Sequence, residues 1–231
     1  MMLALKEKKI LIASGPTFAP IDAVRCITNR STGRLGSTIA HELHEEGAQI
    51  IFLAGETSCT PLDLYPEDVF HRLSIESFFT VDDLKQRLHT HLASGTVDAV
   101  LMAAAVLDYL PVQAEEGKKS SQDEEWTVTF RRGEKLIELL RGWDAKVTIV
   151  GFKLETHITL PELIARAEDL MRRSDARMVV ANRLEEIDDG THTAYLVQQN
   201  QGERNLSPAL PTREAIAAAL VQALARCLVS K

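Results

Sequence analysis

The sequence predicts an α/β protein: a Rossmann-like open, mostly parallel sheet with helices on both faces and a small β-hairpin extension. Three observations predict it. Short apolar runs alternate with amphipathic segments along the chain. The first third reads strand, loop, helix, strand, the opening of a parallel sheet. The segment 97–105 (VDAVLMAAA) is apolar on both faces, as strands covered by helices on each side are. At about 150 residues per domain, 231 residues allow one large domain or two small ones. With no Gly/Ser linker and no internal repeat, a single domain over 1–231 is expected.

The elements follow in order. Residues 8–14 (KKILIAS) are a buried first strand, stopped by Gly15 and Pro16. A polar stretch without apolar periodicity runs to Gly33. Over 34–46, Leu35, Ile39 and Leu43 share a helical face, and Gly47 suits the left-handed end of that helix. Residues 49–54 and 72–75 are strands. Thr80, with Asp83 three residues on, caps a helix striped by Leu84, Leu88 and Leu92. After the 97–105 strand comes a second long loop, 106–123, expected to be disordered without ligand because it is long, polar and must open for product release. Residues 126–131 alternate Trp126, Val128 and Phe130 against polar residues, a half-exposed strand. A helix over 134–141, a strand over 146–152, a helix over 161–173 with Pro161 at its start and a strand over 177–181 continue the alternation. Residues 193–199 and 203–206 form a hairpin around 200–202. Pro211 and Thr212 open a last helix with Ile216, Leu220, Leu224 and Leu228 on one face.

Composition removes several functions. Hydrophobic residues at 45% and charged residues at 26% are those of an ordinary globular protein. The apolar run 99–107 is too short to span a bilayer, and no signal-peptide pattern opens the chain. Acidic residues outnumber basic ones, 33 to 26, for a net charge of −7, which argues against a general nucleic-acid or membrane-surface binder. Cys26, Cys59 and Cys227 are odd in number, widely spaced and without a CxxC pair. A reduced, cytoplasmic protein with no cysteine-based metal site is expected.

In open parallel sheets ligands sit beyond the carboxyl ends of strands, which directs attention to the loops 15–33, 106–121 and 151–159. Ser31, Thr32 and Gly33 immediately precede a helix, whose free N–H groups and positive dipole suit phosphate. Ordinary capping by Ser31 or Thr32 explains them equally well. There is no GxxxxGK[ST] loop. Gly33 and Gly36 supply only part of GxGxxG, about twenty residues from the first strand, so a standard nicotinamide site is disfavoured. Asp108 could hold a ribose hydroxyl or a metal-bound water, and Lys118 a phosphate; both also read as solvated loop charges. His41 and His44 could share a helix face, but HELH is not HExxH and no third ligand is placed.

Several segments together resemble one family. Ser14-Gly15-Pro16-Thr17 and Pro20-Ile21-Asp22-Ala23-Val24-Arg25-Cys26-Ile27-Thr28-Asn29-Arg30-Ser31-Thr32-Gly33-Arg34-Leu35-Gly36 resemble the pattern GGT…PIDxVRxITNxSSGxxG of phosphopantothenoylcysteine synthetases, the phosphopantothenate–cysteine ligases. Met102 to Tyr109 resembles MAAAVADY, Lys118-Lys119-Ser120-Ser121 the loop KIKK or KISS, Val150 to Thr156 VGFAAET, and Val179-Val180-Ala181-Asn182 the later IVAN. The blocks keep their order over residues 8–182.

The resemblance implies an enzyme of coenzyme A biosynthesis. It would activate the carboxylate of 4′-phosphopantothenate with a nucleoside triphosphate, CTP in preference to ATP, and couple the acyl-nucleotidylate to L-cysteine. Mg²⁺ would travel with the nucleotide, with no protein metal site and no flavin. A first strand near residue 8 implies the stand-alone form, without the flavin-dependent decarboxylase. A homodimer is implied, with neither nucleic acid nor membrane as partner. Asn29 matches the active-site asparagine, its amide donating to the substrate carboxylate, and Lys118 the lysine of the mobile loop. Arg25, Ser31, Thr32, Gly33 and Ala104 match substrate-site positions; Gly15, Asp108, Lys118, Phe152 and Arg173 match nucleotide-site positions, with Arg172 competing for the last. The chain departs from the family in three places. The NPD segment is replaced near Arg132-Gly133-Glu134-Lys135. GFAAET reads GFKLET, with Lys153 new near the base. The later lysines are arginines, which can clamp phosphate in bidentate fashion. Two other readings of the same fold class are an NAD(P)-dependent oxidoreductase, which lacks a Tyr-xxx-Lys pair here, and a non-catalytic nucleotide-binding protein.

Overall fold

A computed structural model describes residues 5–188, 191–200 and 203–229. The elements are β1 (Lys9–Pro16), β2 (Phe18–Pro20), β3 (Cys26–Thr28), α1 (Arg34–Glu45), β4 (Gln49–Gly55), α2 (Pro61–Leu64), β5 (Leu73–Phe78), α3 (Val81–Ala93) and β6 (Ala99–Ala105). Then come β7 (Tyr109–Pro111), β8 (Phe130–Arg132), α4 (Leu136–Trp143), β9 (Thr148–Glu155), α5 (Leu160–Ser174), β10 (Met178–Ile187), β11 (His192–Asn200), β12 (Glu203–Leu206) and α6 (Arg213–Val229).

Eight strands make one sheet in the order β12-β11-β10-β9-β6-β1-β4-β5. The six from β10 to β5 are parallel, and β11 and β12 extend the edge antiparallel. The chain moves outward from β1 through β4 to β5, then returns to the other side of β1 with β6. The order therefore reverses between β1 and β6, and the carboxyl ends of those two strands flank the switch point, where ligands of open α/β sheets lie.

Alternation along the strands builds two cores. From β1, Leu11 and Ala13 face one side, with Leu84 and Leu88 of α3, Leu140 of α4 and Leu163 of α5. Ile10 and Ile12 face the other, with Ile39 and Leu43 of α1 and Ile216, Leu220 and Leu224 of α6. The apolar stripes read from the sequence are the buried faces. Helix starts follow the same logic. In α3 the Asp83 N–H donates to Thr80 Oγ1 at 3.1 Å while the Thr80 N–H donates to Asp83 Oδ2 at 2.9 Å. Thr159 and Glu162 repeat this reciprocal cap at α5, leaving fewer orphan N–H groups at each start.

The structure departs from the sequence reading where elements are short. The 17–33 stretch contains the antiparallel pair β2–β3, with Phe18 opposite Thr28; three residues per strand are too few to show a period. The one-turn helix α2 rests on the Thr60–Asp63 cap and Pro61. In the 126–131 segment Trp126, Val128 and Phe130 are half-buried as alternation requires. Only Phe130–Arg132 forms a ladder, and it pairs with β7 outside the main sheet. The expected C-terminal hairpin is the β11–β12 edge itself, with Val197 opposite Leu206; Gln201 and Gly202 of its turn lie outside the described residues. No helix among the described residues is long and apolar enough to cross a membrane.

Candidate functional site

At the switch point Gly15 of β1 lies opposite Ala104 of β6, and Pro16 opposite Ala105. Two expected site residues are thus neighbours across the sheet's reversal. Gly15 holds φ +89°, and a Cβ there would stand 2.4 Å from Ser58 Oγ, so the position requires glycine.

Thr17, fully buried, ties this turn to the end of β6: its N–H donates to the Ala105 carbonyl at 3.3 Å and its Oγ1 accepts the Leu107 N–H at 3.0 Å. Asn29 closes the same knot from β3. Its Nδ2 donates to the carbonyls of Ala105 and Val106 at 3.1 and 3.2 Å. The role expected of Asn29 was donation to a carboxylate. Here both amide protons are used by the backbone, and Oδ1 is the group left to accept. A ligand that takes a donor from Asn29 does so in exchange for one of these two bonds.

Ser31, Thr32 and Gly33 stand at the start of α1. Gly33 is the N-cap, in left-handed conformation at φ +75°, and no side chain caps the helix. A Cβ on Gly33 would meet Ser58 Cβ at 2.7 Å and the Cys59 carbonyl at 2.9 Å. The Thr32 carbonyl accepts from the Cys59 N–H at 2.9 Å. Ordinary capping by Ser31 or Thr32 is therefore absent. The first turn of α1 keeps its free N–H groups and positive dipole beside two hydroxyls, an arrangement suited to an anion.

Asp108 lies just past β6, exposed, and Lys135 Nζ donates to its Oδ1 at 2.5 Å. The Gly133 N–H donates to the Asp108 carbonyl at 2.8 Å. The segment 132–135, which departs from the family pattern, thus sits against the expected nucleotide position and brings a cation to it. Phe152 on β9 is half-buried and packs with the α1–α6 core. Lys153 is committed to Glu155 at 2.8 Å, and Arg166 of α5 reaches the same carboxylate at 3.0 Å. Burial would raise the Glu155 pKa, but Lys153 and Arg166 outweigh it and hold it below the ordinary carboxylate range.

Lys118 is exposed and its ammonium has no ion pair among the described residues. Lys119 beside it is tied to Asp123 at 3.1 Å. Of the two lysines, Lys118 is free to meet a polyanion. The loop that carries them is not disordered, contrary to expectation. The Glu115 N–H donates to the Ile21 carbonyl at 3.0 Å, the Ala23 N–H to the Gly117 carbonyl at 3.0 Å, and the Lys119 N–H to Asp22 Oδ2 at 3.1 Å. Arg25, on the same turn as Asp22, is half-buried. Its guanidinium is held by Asp22 and lies 5.3 Å from the Trp126 ring centre.

Arg173 is not brought to this cluster. Helix α5 returns antiparallel to β9, so its last turn lies toward the amino ends of the strands, where Arg173 is bound by Asp169 at 2.8 Å and Glu138 at 2.5 Å. Arg172, its competitor, is exposed and also paired with Asp169. Arg166 stands nearer the carboxyl end of β9. Sequence reasoning passed over it, and over Thr17, Ser58, Asp22 and Lys135 in their structural roles. Spacing could have found Arg166, which lies four residues after the Glu162 cap and so in the early part of α5. A cleft of about 1210 Å³ opens at the amino ends of the central strands, opposite the switch point, but Lys8 there faces Asp98 at 3.1 Å and Arg141 faces Asp175 at 2.8 Å. These two cations are already offset by carboxylates.

Known proteins resemble this chain in sequence and fold. The family model of the DNA/pantothenate metabolism flavoprotein C-terminal domain matches residues 5–228. The coenzyme A biosynthesis bifunctional protein CoaBC of Thermococcus kodakarensis is 29% identical over 194 residues, covering 84% of this chain and 46% of its own length. That of Mycobacterium tuberculosis (strain H37Rv) is 30% identical over 213 residues, 86% of this chain and 46% of its own. The chain spans about half the length of these relatives. Among solved structures, the DNA/pantothenate metabolism flavoprotein from Streptococcus pneumoniae superposes with a TM-score of 0.84 at 26% identity, covering 95% of this chain and 99% of that one. The C-terminal domain of a coenzyme A biosynthesis bifunctional protein CoaBC gives 0.77 at 25%, with 99% of each chain covered. On a match that runs through all six parallel strands, the chain belongs to the DNA/pantothenate metabolism flavoprotein C-terminal domain family.

Proposed function

We propose that this chain is a phosphopantothenate–cysteine ligase domain acting in coenzyme A biosynthesis in the cytoplasm. The observation that carries the reading is the meeting at the switch point of Asn29, bonded to the end of β6, and the uncapped first turn of α1 behind Ser31, Thr32 and Gly33, with the unpaired Lys118 on a loop hung from the Asp22 turn. The names of the relatives, which carry coenzyme A biosynthesis, support it.

A carboxylate resists amine attack until an oxygen becomes a leaving group. In the proposed reaction a carboxylate oxygen of 4′-phosphopantothenate attacks the α-phosphorus of the nucleotide. A P–O bond forms and pyrophosphate leaves, giving an acyl-nucleotidylate. The cysteine amine then attacks the carbonyl carbon; the C–N bond forms, the C–O bond to the nucleotide breaks, and the amine gives up a proton. The first turn of α1 with Ser31, Thr32 and Gly33 receives the pantothenate-side phosphate. Asn29 trades a backbone bond for one to the reacting carboxyl group, and Arg25 supplies positive charge beside it. Ala104, opposite Gly15, leaves room for the chain of the substrate. Asp108 meets the ribose, with Phe152 further along the strand ends, and Lys118 offsets the triphosphate. Arg166 takes the place first given to Arg173. CTP is the favoured nucleotide. Mg²⁺ would accompany the nucleotide and offset its phosphate charge. The active form is a homodimer, and the ligase domain spans 1–231.

The test is product formation. Purified protein with 4′-phosphopantothenate, cysteine, Mg²⁺ and CTP or ATP in separate reactions should yield 4′-phosphopantothenoylcysteine by mass spectrometry, faster with CTP. A folded protein that binds nucleotide and makes no product with either would instead be a binding protein of this fold.

A further inference from the structure

Asp22 has no part in the steps above, yet it is among the most completely bonded side chains near the site. It lies between β2 and β3, and its side chain is fully buried. Oδ1 accepts the N–H groups of Val24 at 2.8 Å and Arg25 at 2.7 Å. Oδ2 accepts from the Arg25 guanidinium and, at 3.1 Å, from the N–H of Lys119 in the 106–123 loop. One oxygen therefore shapes its own turn, and the other spans to a segment far away in sequence. The contacts around it close a ring. The Arg25 guanidinium covers Trp126, whose indole N–H donates to Glu115 Oε1 at 2.9 Å, and the Glu115 N–H returns to Ile21, next to Asp22. A buried carboxylate is costly unless its oxygens are satisfied. Burial would raise the Asp22 pKa, but the N–H groups of Val24, Lys119 and Arg25 and the Arg25 charge outweigh it and hold it below the usual range. The group is ionised at neutral pH.

We propose that Asp22 is a positioning residue of the ligase, a clasp that fixes the loop carrying Lys118 against the turn carrying Arg25, so that the cation at the triphosphate and the cation at the substrate hold one spacing. This rests on the ligase reading above. The reason to need such a clasp is entropic: an unheld loop of this length would present Lys118 over a wide volume, and small misplacements of reacting or charge-stabilising groups are costly in rate.

Asp22→Asn separates the clasp from the turn. The remaining oxygen can still accept from Val24 and Arg25, while the amide nitrogen would face the Lys119 N–H and the guanidinium, donor against donor. Hydrogen exchange of the peptide spanning 113–125 should quicken by about tenfold or more in this variant, with peptides of β1, β6 and β9 unchanged. Lys119→Pro, which removes the same N–H from the loop side, should do likewise. In ligase assays Asp22→Asn should raise the KM for the nucleotide by about tenfold to a hundredfold without lowering Tm enough to unfold the protein. In that background Lys118→Gln should cost far less than it does in the wild type, because a lysine no longer held in place has less to lose. Unchanged exchange in both variants overturns the clasp, whatever the chain's activity. Faster exchange with wild-type kinetics, or fully additive effects of Asp22→Asn and Lys118→Gln, overturns the positioning role. A wild-type protein silent with CTP and ATP overturns the ligase reading and this role with it, while exchange still decides whether Asp22 holds the loop.

Discussion

Asn29 shows what a single side chain can and cannot be assigned from sequence. Its type and its setting in ITNRSTG point to the reacting carboxyl group. Only the structure shows both amide protons committed to the carbonyls of Ala105 and Val106. The residue therefore holds the end of β6. Asn29→Asp places a second acceptor where those carbonyls need a donor, and under the proposed ligase function it removes the donor offered to the reacting carboxyl group. Loss of one such donor is worth about 2.7–4 kcal/mol, a fall of roughly a hundredfold to a thousandfold in kcat. Circular dichroism should show the fold retained. Full turnover in Asn29→Asp would refute its place in the chemistry. Lys118 and Lys119 make the complementary case. In sequence they are equivalent neighbours, and what distinguishes them is that Asp123 and Glu115 occupy Lys119. The partners that settle which lysine is free lie elsewhere in the loop, and no spacing rule names them.

At the scale of elements, the long helices and buried strands were legible because their burial is periodic. Leu84, Leu88 and Leu92 form a stripe that is buried without remainder. Leu88→Ala should cost about 2–5 kcal/mol through lost transfer energy and the cavity left behind. Denaturant unfolding followed by circular dichroism measures this, and a change below about 1 kcal/mol would mean that the α3 face is less tightly packed than described. What the sequence concealed was the set of elements too short to carry a period. The pair β2–β3 and the ladder β7–β8 have three residues per strand. Their existence is decided by tertiary bonds such as Thr28 Oγ1 to the Thr17 carbonyl at 2.9 Å. These short pieces build the rim of the site, so the scaffold was easier to read than the machinery on it. Helix direction also sets one expected residue apart from the others. Arg173 matches in residue type, but the last turn of a helix that returns from β9 points away from the strands' carboxyl ends.

At the scale of the whole molecule, stability should carry a pH signature from the far edge of the sheet. His192 at the start of β11 is 9% exposed, with Nε2 3.2 Å from Asn182 Nδ2. Burial, aided by the nearby Arg213 charge, lowers its pKa from 6.5 to about 4. Between those values the unfolded chain binds a proton that the native state does not. Its contribution is therefore complete above pH 6.5 and is lost as pH falls toward 4, at up to about 1.4 kcal/mol per pH unit. His192→Gln, which keeps a hydrogen-bonding group beside Asn182, should flatten the fall in Tm between pH 6.5 and pH 4.5. Parallel Tm profiles for the two proteins would show that the ring does not titrate in this way. The sheet order, the reversal between β1 and β6, and the loops gathered there bring these scales together: the fold places the site, and the short elements equip it.

The proposed ligase activates a carboxylate at this switch point before cysteine arrives. The direct measurement is pyrophosphate release in a single turnover with cysteine withheld, using protein, CTP, Mg²⁺ and 4′-phosphopantothenate. A ligase of this mechanism gives a burst close to the concentration of active sites that requires 4′-phosphopantothenate and shrinks sharply in Lys118→Gln. No burst from folded protein with CTP or ATP, or a burst that ignores 4′-phosphopantothenate, would contradict it.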